Sequence, residues 1–116
     1  MKFRKENIDG VTVVRVEESR LDSNISSEVK TELLSLVENE GAQKILIDLK
    51  EVDYVDSSGL GALLFGHRQA KLNSGHLKLV NLNPKIATLI SIAKLENILE
   101  GFSSEKEALK SFQNGQ

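Results

Sequence analysis

The chain has no cysteine, no tryptophan and one proline among its 116 residues. Without cysteine there are no disulfides, no thiol nucleophile and no thiolate metal site, a composition suited to a reducing compartment. The charge balance also lacks a surplus of either sign. Fifteen Lys and Arg against seventeen Asp and Glu give a net charge of −2, which argues against nucleic acid as the main ligand, because phosphate binding needs excess cations. No apolar run approaches the ~18 residues of a membrane helix. Met1-Lys2-Phe3-Arg4-Lys5-Glu6 has basic residues with no hydrophobic stretch behind them, so it does not read as a signal peptide, and a cytoplasmic location is expected. Only two histidines occur, His67 and His76, and their spacing matches no metal site. No metal or cofactor is expected.

What is present suits one small globular domain. Apolar residues make up 40% and charged residues 28%, and a chain of this length buries roughly two-thirds of its unfolded surface. Phe3 to Ile8 and Val11 to Val16 read as strands joined by Asp9-Gly10, a two-residue turn that needs φ > 0 at both positions. Ile25, Val29, Leu33, Leu36 and Val37 recur at helical spacing, and Gly41 suits the stop. Lys44 to Leu49 reads as a strand covered on both faces.

After Asp56-Ser57-Ser58-Gly59-Leu60-Gly61 a helix runs to about Asn73, with Leu60, Leu63, Leu64, His67 and Lys71 sharing a face, and Ser74-Gly75 ends it. Ala62, Phe65, Gly66 and Gln69 fall opposite. Phe65 is there either a partner anchor or part of a core that wraps further round the helix. His76 to Leu82 alternates and reads as a strand. Asn83-Pro84 starts another helix, with Ile86, Leu89, Ile90 and Ala93 on its apolar face. Ile98 to Phe102 reads as a last strand. Ser104-Glu105-Lys106-Glu107 has capping-box spacing ahead of Ala108, Leu109 and Phe112. The order is β-β-α-β-α-β-α-β-α, an α/β fold with an N-terminal hairpin, a mixed and mainly parallel sheet, and covering helices. The domain is expected over residues 1–113, with a frayed tail at Asn114-Gly115-Gln116.

The segment Asp56 to Gly61 is the densest chemical signal. It lies between a strand and a helix, where open α/β sheets place ligand sites. A serine here sits at a helix N-terminus, which favours an anion, and Gly59 and Gly61 let another surface approach. The same residues also serve as an N-cap and an eased turn. Hydrolysis is disfavoured because the Gly-x-Ser-x-Gly elbow is missing. Gly59-Leu60-Gly61 falls short of both longer nucleotide-binding glycine fingerprints.

Val55-Asp56-Ser57-Ser58-Gly59-Leu60-Gly61 followed by Ala62-Leu63-Leu64 closely resembles the signature of the STAS family, which comprises anti-sigma-factor antagonists and related domains of sulphate transporters. The element order matches from Met1 to about Phe112. The resemblance implies a non-catalytic binding protein. Ser57 would be phosphorylated by an anti-sigma factor that is itself a serine kinase, Ser58 being the fallback acceptor, and a serine phosphatase would reset it. The unphosphorylated form would hold the anti-sigma factor and release a sigma factor. The partner surface would comprise Asp56, Ser58, Gly59, Leu60, Gly61 and Phe65. Ser19-Arg20-Leu21-Asp22-Ser23 resembles the family's second contact loop, with Asp22 touching the kinase, or else serving helix entry; many members have glycine where Ser19 stands. The rival within the family is a scaffold or adaptor subunit of a stress-signalling or lipid-transport assembly. A monomer, at most a weak dimer, is expected.

Overall fold

In a computed structural model, which describes residues 2–113, four helices flank a five-stranded sheet. The expected tail at 114–116 lies outside the described residues. β1 (Phe3–Ile8) and β2 (Val11–Val16) form the antiparallel hairpin. Asp9 and Gly10 adopt φ of 52° and 83°, the left-handed pair that this turn requires. β4 (Lys44–Asp48), β6 (His76–Val80) and β7 (Gly101–Phe102) add in parallel, in the spatial order β1-β2-β4-β6-β7. The parallel pairs are linked by α1 (Ser26–Glu38), α2 (Ser57–Leu72) and α3 (Pro84–Ile92), and α4 (Glu105–Gln113) closes the described chain. Among the described residues no helix is long and apolar enough to cross a membrane.

The sheet is covered on both faces, unequally. Val14, Val16, Ile45, Ile47, Leu77 and Leu79 pack under α1, α2 and α3 in the larger core. Val11, Val13, Leu46 and Val80 meet Ala108 and Phe112 of α4 in the smaller one. This second cover explains a difference from the pattern read in β6. Lys78 alternates with leucines as a solvent-facing residue would, yet it is 4% exposed. Its ammonium lies 4.6 Å from the Phe112 ring and donates to Ser111 Oγ at 2.8 Å. The lysine stem fills apolar space while its charged end meets a ring face and an oxygen.

Two further differences concern element ends. The last strand is two residues long rather than five, because the Ile98 and Leu99 amides bond back to the Leu95 carbonyl in a turn. β6 stops at Val80, since Asn81 leaves the sheet at φ 62°. The structure also adds a pair absent from the sequence reading. β3 (Arg20–Leu21) and β5 (Tyr54–Val55) form a separate two-stranded parallel sheet. Two-residue strands carry no periodicity to read.

The core face of α2 is rotated from expectation. Gly59, Leu60, Ala62, Leu63, Gly66 and Ala70 are its buried residues, whereas Leu64 and His67 are half-buried and Lys71 is exposed. The small residues are there because α1 and β6 come close. A Cβ on Gly66 would lie 2.6 Å from Leu33 and 3.0 Å from Leu77.

Candidate functional site

The site is assembled by the β3–β5 pair at the first turn of α2. The register Arg20↔Tyr54 and Leu21↔Val55 runs the 19–24 loop beside the segment entering the helix. The Asp53 and Tyr54 amides donate to the Ser19 carbonyl at 2.8 and 3.2 Å, and the Asp56 amide donates to Leu21 O at 3.3 Å. Gly59 is buried against β3: a Cβ there would lie 2.0 Å from the Leu21 carbonyl oxygen. The surface that approaches this glycine is the chain's own backbone.

Asp56 is the N-cap. Its backbone is extended, one carboxylate oxygen accepts from the Gly59 amide at 2.9 Å, and the other accepts from the Ser23 amide at 3.3 Å. One side chain therefore satisfies a helix-end donor and ties the two loops together. Asp22 is buried. Its carboxylate accepts from the Asn24 amide at 3.0 Å and from Arg20 Nε at 3.2 Å, and its carbonyl accepts from the Ile25 and Ser26 amides. Asp22 thus shapes the turn into α1, the helix-entry role. The Arg20 guanidinium stacks on Tyr54, 4.2 Å from the ring centroid, a cation–π contact between the loops.

At the centre of this frame stands Ser57, the first residue of α2, exposed to solvent. Among the described residues its hydroxyl has no intramolecular partner, since Asp56 performs the capping. The oxygen sits at the positive end of a helix dipole, which stabilises a local negative charge. Ser58 is half-buried one position on. No hydrogen bond joins either serine to a histidine or carboxylate among the described residues, so the nucleophile–base pair of a serine hydrolase is not formed.

The remaining sequence candidates divide by burial. Gly61 is exposed, with nothing within 4 Å of a Cβ built on it. Phe65 is half-buried and Leu60 is buried at 7% exposure. Leu60 packs in the larger core with Leu63, so it holds the helix rather than presenting itself. His67 keeps a buried Nδ1 without a hydrogen bond. Burial, then the nearby charges of Lys71, His76 and Arg68, lower its pKa, so the ring is neutral at pH 7. Arg20, Tyr54 and Ser23 belong to the site and were not singled out from sequence. Arg20 and Ser23 lie in the loop read from the sequence as a second contact segment, but neither was given a role there, and Tyr54 carried no signal of its own.

The STAS domain family model matches residues 2–108. An anti-sigma F factor antagonist from Paenibacillus polymyxa is 26% identical over 109 residues, covering 94% of this chain and 92% of the relative. An anti-sigma-B factor antagonist from Bacillus subtilis is 33% identical over 95 residues, covering 75% of this chain and 85% of that one. Among solved structures, an anti-sigma-factor antagonist (STAS) domain protein from Planctomyces limnophilus superposes with a TM-score of 0.86 at 24% identity, over 97% of this chain and 98% of that chain. Unphosphorylated SpoIIAA, an anti-sigma factor antagonist, gives 0.74 at 18% identity, over 97% and 99%. With the β-α alternation, the capped α2 and a family match over nearly all the described residues, the chain belongs to the STAS domain family.

Proposed function

We propose that this protein is a non-catalytic antagonist of an anti-sigma factor, acting in the cytoplasm and switched by phosphorylation of Ser57. In the unphosphorylated state it holds an anti-sigma factor with serine kinase activity, and so frees a sigma factor. The kinase then modifies Ser57, the complex separates, and a serine phosphatase restores the hydroxyl. The observation that carries this reading is the exposed, unbonded Ser57 hydroxyl at the head of α2, inside a frame braced by Asp56 and Asp22. The names of the relatives from Paenibacillus polymyxa and Bacillus subtilis support the antagonist role.

The switch follows from charge. A phosphate adds about −1.5 to −2 charges at neutral pH. The helix N-terminus tolerates it, so the fold survives. A partner packed over the same spot does not, because the dianion must be desolvated against it. Arg20, the cation closest along the loop, is already engaged with Tyr54 and Asp22. Reversing a complex from 99:1 to 1:99 needs about 5.5 kcal/mol, a scale that an uncompensated buried charge reaches.

The test uses the source organism's anti-sigma factor kinase, purified, with ATP. Mass spectrometry is expected to place one phosphate on Ser57. Ser57→Ala stays unmodified and binds the kinase constitutively, while Ser57→Asp binds poorly. Phosphate on another residue, or equal binding by the two variants, overturns the assignment.

A further inference from the structure

The outer face of α2 is not the polar face that a surface helix normally turns to water. Ser57, Gly61, Leu64, Phe65, Arg68 and Leu72 follow one another at spacings of four, three, one, three and four residues. That rhythm puts them on about a quarter of the helix circumference, opposite the buried Gly66 and Ala70. Leu72 is 77% exposed. Leu64 and Phe65 are half-buried, and Gly61 leaves an open notch between Ser57 and Phe65. A single exposed leucine needs no explanation. Three large apolar side chains in line with the acceptor serine form a track.

The charge along the track is also uneven. From Ser57 to Leu72 the helix has no Asp or Glu, although the whole chain is net negative. Arg68 and Lys71 are exposed, and among the described residues neither is paired with a carboxylate. A cation in the last turn suits the helix dipole, which accounts for Lys71 but not for the apolar residues around it. At the other end, Asp53 and Asp56 precede the helix. The surface therefore runs from carboxylates near Ser57, across apolar side chains, to unpaired cations about 17 and 21 Å from Ser57 along the axis.

We infer that the partner-binding surface extends from Ser57 along the outer face of α2 to Leu72, where the anti-sigma factor supplies an apolar segment bearing carboxylates that face Arg68 and Lys71. This rests on the function proposed above and deepens it. Ser57 sets whether binding occurs, and the distal half of α2 adds contact area and charge pairing to the complex. The polarity fixes the direction in which the partner lies. In an antiparallel second copy Arg68 and Lys71 would meet Asp53 and Asp56, but both Asp56 carboxylate oxygens already accept from backbone amides, which leaves the partner's own carboxylates as the better match.

The experiment is calorimetric titration of the unmodified protein with the same purified kinase. Leu72→Asp and Arg68→Glu are each expected to raise Kd by about tenfold, as loss of an interface anchor does. Both sites are exposed, so both variants should melt close to the wild type, and thermal unfolding checks this. Lys110→Glu makes the same charge change on α4, across the sheet, and is expected to leave Kd within about twofold, as a remote surface charge does. Wild-type affinity in Leu72→Asp and Arg68→Glu overturns the extended surface and leaves the Ser57 switch standing. An equal loss in Lys110→Glu overturns it too, by showing bulk electrostatics. Sedimentation that finds the free protein dimeric, with Leu72→Asp abolishing the dimer but not kinase binding, assigns the face to self-association instead. No kinase binding by the wild type overturns both this inference and the proposed function.

Discussion

Two polar clusters gather carboxylates where the parallel strands end, and they use them differently. In the Ser57 site the carboxylates of Asp22 and Asp56 accept from backbone amides, which shapes the loops and leaves a hydroxyl unbonded. On the α4 side of the sheet, Arg15 binds Glu6 at 2.6 Å, Asp48 at 2.8 Å and both oxygens of Glu105 at 2.7 and 3.2 Å. Asp48 also accepts from Asn81 and from the Lys50 amide. A cavity of about 300 Å³ lies beside this cluster, lined by Arg4, Lys50 and Glu51 among others, but the guanidinium and the Asp48 carboxylate inside it already have partners. One is a closed polar cluster, which fixes α4 to the sheet, and the other is open, with a hydroxyl left free at the surface.

The largest expected effect breaks the closed cluster. Arg15 is 16% and Asp48 8% exposed at the side chain. Arg15→Met leaves Asp48 buried without its cation, while Glu6 and Glu105 turn out to water. Removing one partner of a buried pair costs 3–5 kcal/mol, and the escape of two carboxylates puts this case at about 3 kcal/mol. Urea unfolding should show that loss. Kinase binding, measured under folding conditions, should be unchanged. A variant as stable as wild type would show that α4 is held by Phe112 and Ala108 alone.

The next variant breaks the open site without touching its chemistry. In Gly59→Ala the new methyl meets a backbone carbonyl, which cannot move aside as the tip of a side chain can. Either β3 lifts from α2 or the helix shifts. Overpacking of this kind costs about 1–3 kcal/mol, and the displacement carries the 19–24 loop with it. Stability and kinase affinity should fall together, in contrast to Arg15→Met, where only stability falls.

Acid should weaken the closed cluster. Burial opposes ionisation of Asp48, but hydrogen bonds from Asn81, the Lys50 amide and Arg15 prevail and hold its pKa below the ordinary 3.8. Glu6 is lowered from 4.5 by its hydrogen bond to Arg15. A group whose pKa is depressed by folding stabilises above its unfolded value, and that stabilisation is lost as pH falls through the folded value. The part of stability contributed by Arg15 should therefore persist at pH 5 and decline progressively from about pH 4 downward. Comparing unfolding of wild type and Arg15→Met across this range tests it, since the gap between them should close in acid.

The sequence disclosed the fold wherever a local rule was strong. Asp9-Gly10 dictated the hairpin, Asn83-Pro84 the start of α3, and the alternating β and α patterns the parallel sheet. It pointed to Ser57 as a candidate through its neighbours rather than its own properties. It misjudged the α2 core face because hydrophobicity was weighed where size decided. Gly66 is buried for being small against α1 and β6, Ala62 is buried in the same core, and Leu64 lies nearer the surface. It did not reveal the β3–β5 pair or the burial of Asp22, because both depend on segments more than thirty residues apart meeting at α2. Lys78 looked solvent-facing because nothing within β6 announces that α4 will cover it.

The smallest expected effect on stability distinguishes the two glycines of the motif. Gly59 is required by packing, but a Cβ at Gly61 meets nothing. Gly61 lies inside a helix, where glycine is about 1 kcal/mol less favourable than alanine. Gly61→Ala should therefore stabilise the free protein by up to about 1 kcal/mol. The added methyl also narrows the notch between Ser57 and Phe65, so a partner side chain that enters there should bind more weakly. Thermal unfolding and kinase titration on this one variant should move in opposite directions. A gain in stability with undiminished affinity would show that the notch is empty in the complex and that the partner's contact begins elsewhere on the track.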